Sequence, residues 1–294
     1  MKNIEDTLKR LERSLTSAMD RNPHSSCIIS AFRPLIIART RLVDSLELPG
    51  NEEFTLDKAR FKDGVPLARQ SGYFREDDPF ESVAISLMPA LKAGFPDQVT
   101  TWERLTGLID SREIRLYDFF QAYPSGGEEI IEEWAKLIDA DVRIVGFLAR
   151  SVAKTILERR ALDWAGLIKD LEWEKGYCPI CGSFSHIAKH KDGTGERWLY
   201  CPMCSHEWRF RRVVCPCCEN DDQKTMSYFH VEEKEKESAF GCEMCKGYLI
   251  TMTKVSDLSE FNPEIAALSL AHLDVIMQEK GYVPMSQAEW SAFA

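Results

Sequence analysis

The chain has 294 residues, 44% of them hydrophobic, and a formal net charge of −10. That length admits one large domain plus a small one with a substantial core. The acidity argues against a general nucleic-acid binder, whose affinity comes from neutralising phosphates with Lys and Arg. The opening MKNIEDTLKRLERS is charged and amphipathic, unlike a secretory signal or transit peptide. No apolar run approaches the roughly 18–20 residues needed to span a bilayer. The expectation is a cytoplasmic protein without membrane insertion, in a compartment that keeps thiols reduced.

Residues 1–175 read as a helical domain. Ile4, Leu8, Leu11, Leu15 and Met19 follow a helical period and mark a first helix that stops near Pro23. A second apolar stretch covers 26–48, with Pro34 predicted to kink or split it. Cys27, within CIISAF, is read as a small buried hydrophobe. The polar segment LPGNEEFTLDKARFKDG separates this pair from further helices predicted at 78–92, 98–109, 112–122, 127–159 and 161–174. Pro124-Ser125-Gly126-Gly127 predicts a turn before the longest of them.

The character changes at Gly176. Four Cys-x-x-Cys pairs follow within 68 residues: Cys178/Cys181, Cys201/Cys204, Cys215/Cys218 and Cys242/Cys245. Short β-prone stretches lie between them, at 197–200, 208–214, 226–231 and 247–254. Only ten residues separate the two inner pairs, so two metal modules over 176–256 must be close neighbours. The acidic clusters at 127–133 and 232–237 read as solvated surface. Residues 257–294 supply a C-terminal helix at 262–282, which ends at Gly281 and either docks on the helical domain or braces the ribbons. The fold class expected is α+β: a mostly helical N-terminal domain, two small rubredoxin-like or zinc-ribbon modules, and a terminal helix.

Eight thiols in two-apart pairs are what two tetrahedral four-cysteine metal sites require, because a tight turn lets one pair grip a cation from one side. Disulfides and redox dithiols compete with this reading, but a redox dithiol motif occurs once and beside a βαβ pattern, not four times in tandem. Sequential pairing is the economical assignment. Cys178, Cys181, Cys201 and Cys204 would hold one ion, and Cys215, Cys218, Cys242 and Cys245 the other; an interleaved arrangement needs longer detours. Gly182 after the first pair permits a left-handed backbone there. Ligand identity leaves the two metal ions as iron or zinc. Iron would allow one-electron transfer, whereas zinc held by four thiolates keeps no open position and is structural. His186, His190, His206 and His230 are not needed as ligands, and Cys217 reads as a bystander thiol. Phosphate loops, dinucleotide fingerprints, serine-hydrolase elbows and zinc-protease helices are all missing from the sequence, so no enzyme is expected. Arg209, Arg211 and Arg212, beside Trp208 and Tyr200, are candidates for a partner-facing strip or for charge protection of an edge strand.

The run Tyr177–Tyr248 resembles the FdhE family through CPICGS at 178–183, RWLYCPMCSHEW at 197–208, RRVVCPCC at 211–218 and CEMCKGYL at 242–249. The tail AALSLAHLDVIMQEKGY at 266–282 and the segment Gly64-Val65-Pro66-Leu67 resemble it as well. Glu219 departs from the glycine usual after the third pair, and Glu264 from an expected aspartate. The resemblance implies a non-enzymatic accessory or maturation factor required for active formate dehydrogenase. Such a factor would act on the catalytic subunit in the cytoplasm, with the eight paired cysteines as ligands. An iron electron-transfer or redox-sensing protein is the alternative, and a zinc-ribbon nucleic-acid binder is disfavoured by charge.

Overall fold

The computed structural model describes residues 4–50, 54–122, 127–231, 234–256 and 261–293. The described residues before the cysteine pairs form α1 (Ile4–Arg21), α2 (Ser26–Ser45), α3 (Lys58–Lys62), α4 (Leu67–Ser71), α5 (Phe80–Gly94), α6 (Val99–Asp110), α7 (Leu116–Ala122), α8 (Glu128–Leu137) and α9 (Val142–Ile168). The leucine stripe of α1 is buried as its period predicts, with Leu15 fully enclosed. Pro34 does not split α2, which runs unbroken. Ile29, Phe32, Leu35 and Ile36 are buried on both sides of the proline, and that packing outweighs one lost backbone hydrogen bond.

The long helix expected over 127–159 is two helices. Asp139 takes a left-handed φ of 49°, and Asp141 then caps α9 by accepting a hydrogen bond from Arg143 N at 2.8 Å. The expected break near 160 is absent, because Arg160 is locked inside α9 by the buried carboxylate of Asp78, 2.6 Å away. The segment read as a polar linker also holds α3, whose cap Asp57 accepts from the amides of Ala59 and Arg60. Of the turn expected at 124–127, only Gly127 lies within the described residues.

The cysteine-rich part forms one sheet, with strands β1 (Ile187–Lys191), β2 (Arg197–Tyr200), β3 (Glu207–Phe210), β4 (Met226–Val231), β5 (Lys234–Cys242), β6 (Gly247–Val255) and β7 (Val283–Pro284). Their order is β3-β2-β1-β6-β5-β4, and β7 pairs with β6. Each pair of cysteine knuckles encloses its own antiparallel ribbon, and a parallel pairing of β1 with β6 fuses the two ribbons, Ile187 opposite Ile250. Strand β3 is shorter than the 208–214 expected. Strand β5 takes in 234–237, read from sequence as solvated charge; the preceding 232 and 233 lie outside the described residues.

The terminal helix is broken at Leu270 into α10 (Pro263–Ser269) and α11 (Ala271–Glu279). It performs both of the roles anticipated for it: α10 packs on α1 and α2, while α11 packs on β5 and β6. A final 3-10 turn, Glu289–Phe293, stacks Phe293 on Phe95 at 4.1 Å between ring centres, inside the helical core. One apolar cluster runs from Leu8 through α9 to the cysteines themselves.

Candidate metal centres

The structure assembles the eight paired cysteines sequentially. Cys178, Cys181, Cys201 and Cys204 form one group and Cys215, Cys218, Cys242 and Cys245 the other, each with its four sulfurs within 4.8 Å of one another. Among the described residues, the groups able to hold a metal contain cysteine alone. Cys178 and Cys204 sulfurs lie 3.5 Å apart and Cys181 and Cys201 3.4 Å; Cys215 and Cys245 lie 3.7 Å apart and Cys218 and Cys242 3.8 Å. A disulfide would bring sulfurs to about 2.05 Å. Four sulfurs about 2.3 Å from a central metal stand about 3.8 Å from each other, so the donor set fits a tetrahedral ion.

The knuckles share one backbone design. The residue after each pair is left-handed: Gly182 (φ 81°), Ser205 (55°), Glu219 (59°) and Lys246 (55°). In the first three, that residue's amide donates to the carbonyl of the first cysteine, at 2.8, 3.0 and 3.0 Å. The first cysteine's own amide donates to the carbonyl five residues on. Glycine is therefore unnecessary to build the turn, and Glu219 adopts the required conformation at the cost of local strain.

The two groups differ in exposure. All four cysteines of the first are buried; in the second, Cys215 and Cys242 are buried, Cys245 is half-buried and Cys218 is exposed. Burial pushes the Cys178 and Cys204 thiols up, while hydrogen bonds from Cys178, Cys201 and Cys204 pull Cys181 well down. Burial likewise pushes Cys215 up to about 12. At Cys242, burial raises the thiol but is outweighed by the amides of Cys245 and Met244, which pull it below its ordinary value. Enclosed thiols that resist ionisation need a cation to carry their charge, which is the chemistry a bound metal supplies. Ser183 Oγ lies 3.4 Å from Cys181 Sγ, Gly247 N donates to Cys245 Sγ at 3.4 Å, and Asn220 Nδ2 to Cys242 Sγ at 3.8 Å. These are the contacts that would orient ligands around a metal.

Sequence reasoning missed how the first group is tied to the helices. Leu67 N and Ala68 N, in the first turn of α4, donate to Pro179 O and Ile180 O inside the first knuckle, at 3.0 and 2.8 Å. Tyr177 Oη donates to Gly64 O at 2.8 Å. The Gly64–Leu67 segment, visible beforehand only as a resemblance, is thus the knuckle's dock. Behind the second knuckle, Ser205 bonds Glu158, which joins a buried network of Arg39, Lys154, Glu264 and Glu289. Glu264 is an internal ion-pair partner in that network.

Of the suggested partner strip, Arg209, Arg211 and Arg212 are exposed, but Trp208 is buried with Nε1 donating to Lys175 O at 3.2 Å. Tyr200 is also buried. Cys217 is exposed beside the second group. Cys27 is exposed too, contrary to its apolar surroundings, because it falls on the outer side of α2 while Ile29 and Phe32 face inward. Burial holds His190 and His206 down to about 4, with Arg197 and Arg212 adding to the effect at His190. Among the described residues, no helix is long and apolar enough to cross a membrane.

No protein-family model matches the chain. It is 30% identical over 121 residues to an FdhE homolog of Aquifex aeolicus, covering 39% of this chain and 41% of that one. It is 31% identical over 120 residues to protein FdhE of Escherichia coli, covering 38% and 37%. It is 33% identical over 108 residues to an FdhE homolog of Haemophilus influenzae, covering 36% and 35%. The matched segments thus span about two fifths or less of these curated relatives. The crystal structure of the FdhE protein from Pseudomonas aeruginosa superposes with a TM-score of 0.61 at 20% identity, covering 95% of this chain and 93% of that one, and so shares its fold. The chain is thus similar in sequence to FdhE proteins of three bacteria over about two fifths of its length, and shares the fold of a fourth over nearly all of it.

Proposed function

We propose that this protein is a cytoplasmic, non-enzymatic accessory factor for formate dehydrogenase that binds the enzyme's catalytic subunit. Both cysteine groups would hold a metal ion, iron or zinc, through Cys178, Cys181, Cys201, Cys204, Cys215, Cys218, Cys242 and Cys245. The observation that carries the metal reading is the tetrahedral spacing of eight unpaired thiols in two groups. The formate dehydrogenase link is supported by the similarity to FdhE proteins and by the shared fold. The division into a helical domain (1–175), paired metal modules (176–256) and a terminal helix (257–294) is part of this proposal. Its partner surface is placed at the exposed Arg209, Arg211 and Arg212.

A strain lacking its own FdhE protein tests the reading. The chain should restore formate dehydrogenase activity, and a tagged copy should co-purify with the catalytic subunit. The Arg209→Ala, Arg211→Ala, Arg212→Ala triple variant should lose co-purification while keeping two metals. Restored activity without any association would sink the binding model. Exposure of Cys218 favours a second reading, in which an iron at that site exchanges electrons with an outside partner. Two irons per chain, with thiolate charge-transfer bands on oxidation, would support it; two zincs would remove it.

A further inference from the structure

Arg197 lies on β2, four residues before Cys201 of the first group, yet its side chain reaches the second. Its Nη1 donates to Val214 O at 3.0 Å and to Arg212 O at 3.4 Å, carbonyls of the segment that leads into Cys215. Its guanidinium carbon stands 4.9 Å from the centre of the Phe240 ring, two residues before Cys242. The residue is 1% exposed. Its Nε and Nη2 are enclosed without a hydrogen-bond partner, and no carboxylate pairs with it among the described residues. Among the described residues, every other fully enclosed cation of comparable size has an acid: Arg39 has Glu158, Glu264 and Glu289; Arg160 has Asp78; Lys154 has Glu264 and Glu289.

A guanidinium does not shed its proton to escape burial, so its charge must be met from outside the side-chain carboxylates. Carbonyl oxygens and a ring face orient it but carry no net charge. Burial pulls Arg197 below its ordinary pKa, and Tyr228 and Cys215 pull it back. Four thiolates around a divalent ion carry a net charge of −2.

We propose that Arg197 is the counter-cation of the second metal centre, supplied across the sheet by the ribbon of the first. This rests on the reading that the second cysteine group holds a metal. The pairing is mutual: the anionic centre compensates a buried charge, and the cation favours the more negative state of that centre. A ferrous tetrathiolate is one unit more negative than a ferric one, so Arg197 raises the reduction potential of an iron held there. It also strengthens the grip on a divalent ion. The arrangement couples the two ribbons electrostatically as well as through the β1–β6 ladder.

The test uses the full chain, loaded anaerobically with ferrous iron and titrated redox-wise by visible absorbance, alongside a zinc-loaded sample competed with a chromophoric chelator. Arg197→Gln keeps a donor for Val214 O and removes the charge; Arg197→Lys keeps the charge. Arg197→Gln should lower the midpoint of one of the two irons by about 59 mV, the equivalent of tenfold in a one-electron equilibrium constant. It should also weaken one zinc roughly tenfold, with the other metal unmoved in both assays. Arg197→Lys should recover most of each loss. Should the glutamine variant fail to fold, Arg197→Met is the second neutral variant, with no donor left unmade. Equal behaviour of the neutral and lysine variants, each binding two metals, overturns the counter-cation. Failure of the unmodified chain to bind a metal at the second group overturns the metal reading itself, and the counter-cation with it.

Discussion

Gly176 sits where the helical part gives way to the first knuckle, and its backbone lies directly against the third. A methyl group built on it would stand 1.9 Å from Pro216 O and 2.5 Å from both Pro216 C and Cα. All three obstacles are backbone, so no side chain can swing aside. Restoring even 3.0 Å requires about 1.1 Å of movement, several times the roughly 0.2 Å that metal–ligand distances tolerate. Movement of Pro216 drags Cys215 and Cys218; movement of Gly176 drags Cys178 and breaks the Tyr177 Oη to Gly64 O bond. Gly176→Ala should therefore cost about 1–3 kcal/mol, as other overpacked sites do. Concentrated in one site, that is roughly 5- to 150-fold in metal affinity. Zinc stoichiometry and competition with a chelator read the affinity, and thermal unfolding reads the remainder. Two zincs at unmodified affinity, with an unchanged unfolding midpoint, would show that the contact does not couple the knuckles and would refute the reasoning.

Glu219→Gly relieves a left-handed glutamate and loses only an exposed ion pair with Lys175, so the metal-loaded chain should gain about 1 kcal/mol. The check is its thermal midpoint, which should rise while that of Gly182→Ala falls. Arg160→Met strands the fully buried Asp78 carboxylate and should cost about 3–5 kcal/mol in urea unfolding. The double variant with Asp78→Asn should lose less. Glu289 is held down to about 2: burial works against its charge, but Lys154 and Arg39 outweigh it. A carboxyl with a depressed folded pKa stabilises above its ordinary value of 4.5, and that stabilisation is lost as pH falls toward 2. The stability gap between the unmodified chain and Glu289→Gln should thus be full at pH 6 and shrink steadily below pH 4.5. Because the first knuckle's carbonyls accept from Leu67 N and Ala68 N, chelation should expose those two amides to hydrogen exchange. Retained protection there after metal removal would mean that the α4 dock stands without its knuckle.

The cysteine spacing was legible because a two-residue gap is a local geometric requirement, and the order of the pairs in the chain is also their order in space. Amphipathic helices were legible for the same reason, as in the Leu8–Leu15 stripe. What stayed hidden depends on partners far away in sequence. Strand β1 contains Lys189 and His190 and looks polar, yet both are buried, and Lys189 is met by Glu207 on β3 at 2.8 Å. Strand β5 begins inside a run of acids and lysines whose pairing with β4 and β6 no local pattern announces. The break between α8 and α9 had a written cue in Asp139-Ala140-Asp141, a left-handed residue followed by a capping aspartate. It was overridden by the apolar period on either side. Cys27 failed the other way: an apolar neighbourhood says nothing about which helix face one residue takes.

The two cysteine groups are built alike but placed unlike, and placement decides what each can do. The first is walled in by α4, by the Ser205–Glu158 link and by the shared apolar core, and all four of its cysteines are buried. Its knuckle is bonded to the helical part through Leu67 N, Ala68 N and Tyr177 Oη, so a metal held there would fix the first ribbon against the helices. The second opens to solvent at Cys218, and two exposed apolar residues adjoin its cysteines in sequence: Val213, at 43% exposure, precedes Cys215 by two, and Met244, at 67%, lies within the fourth pair. Exposed apolar side chains beside an open cysteine group are a poor arrangement for stability and a good one for contact. Arg211 and Arg212 are exposed on the same inter-knuckle segment as Val213, ahead of Cys215. Electron exchange, metal exchange and partner recognition all require access, and of the two groups only the second has it. On the proposal that both groups hold metal, a partner that reads the protein through them would read the second, to which Arg197 would carry the first ribbon's influence from within.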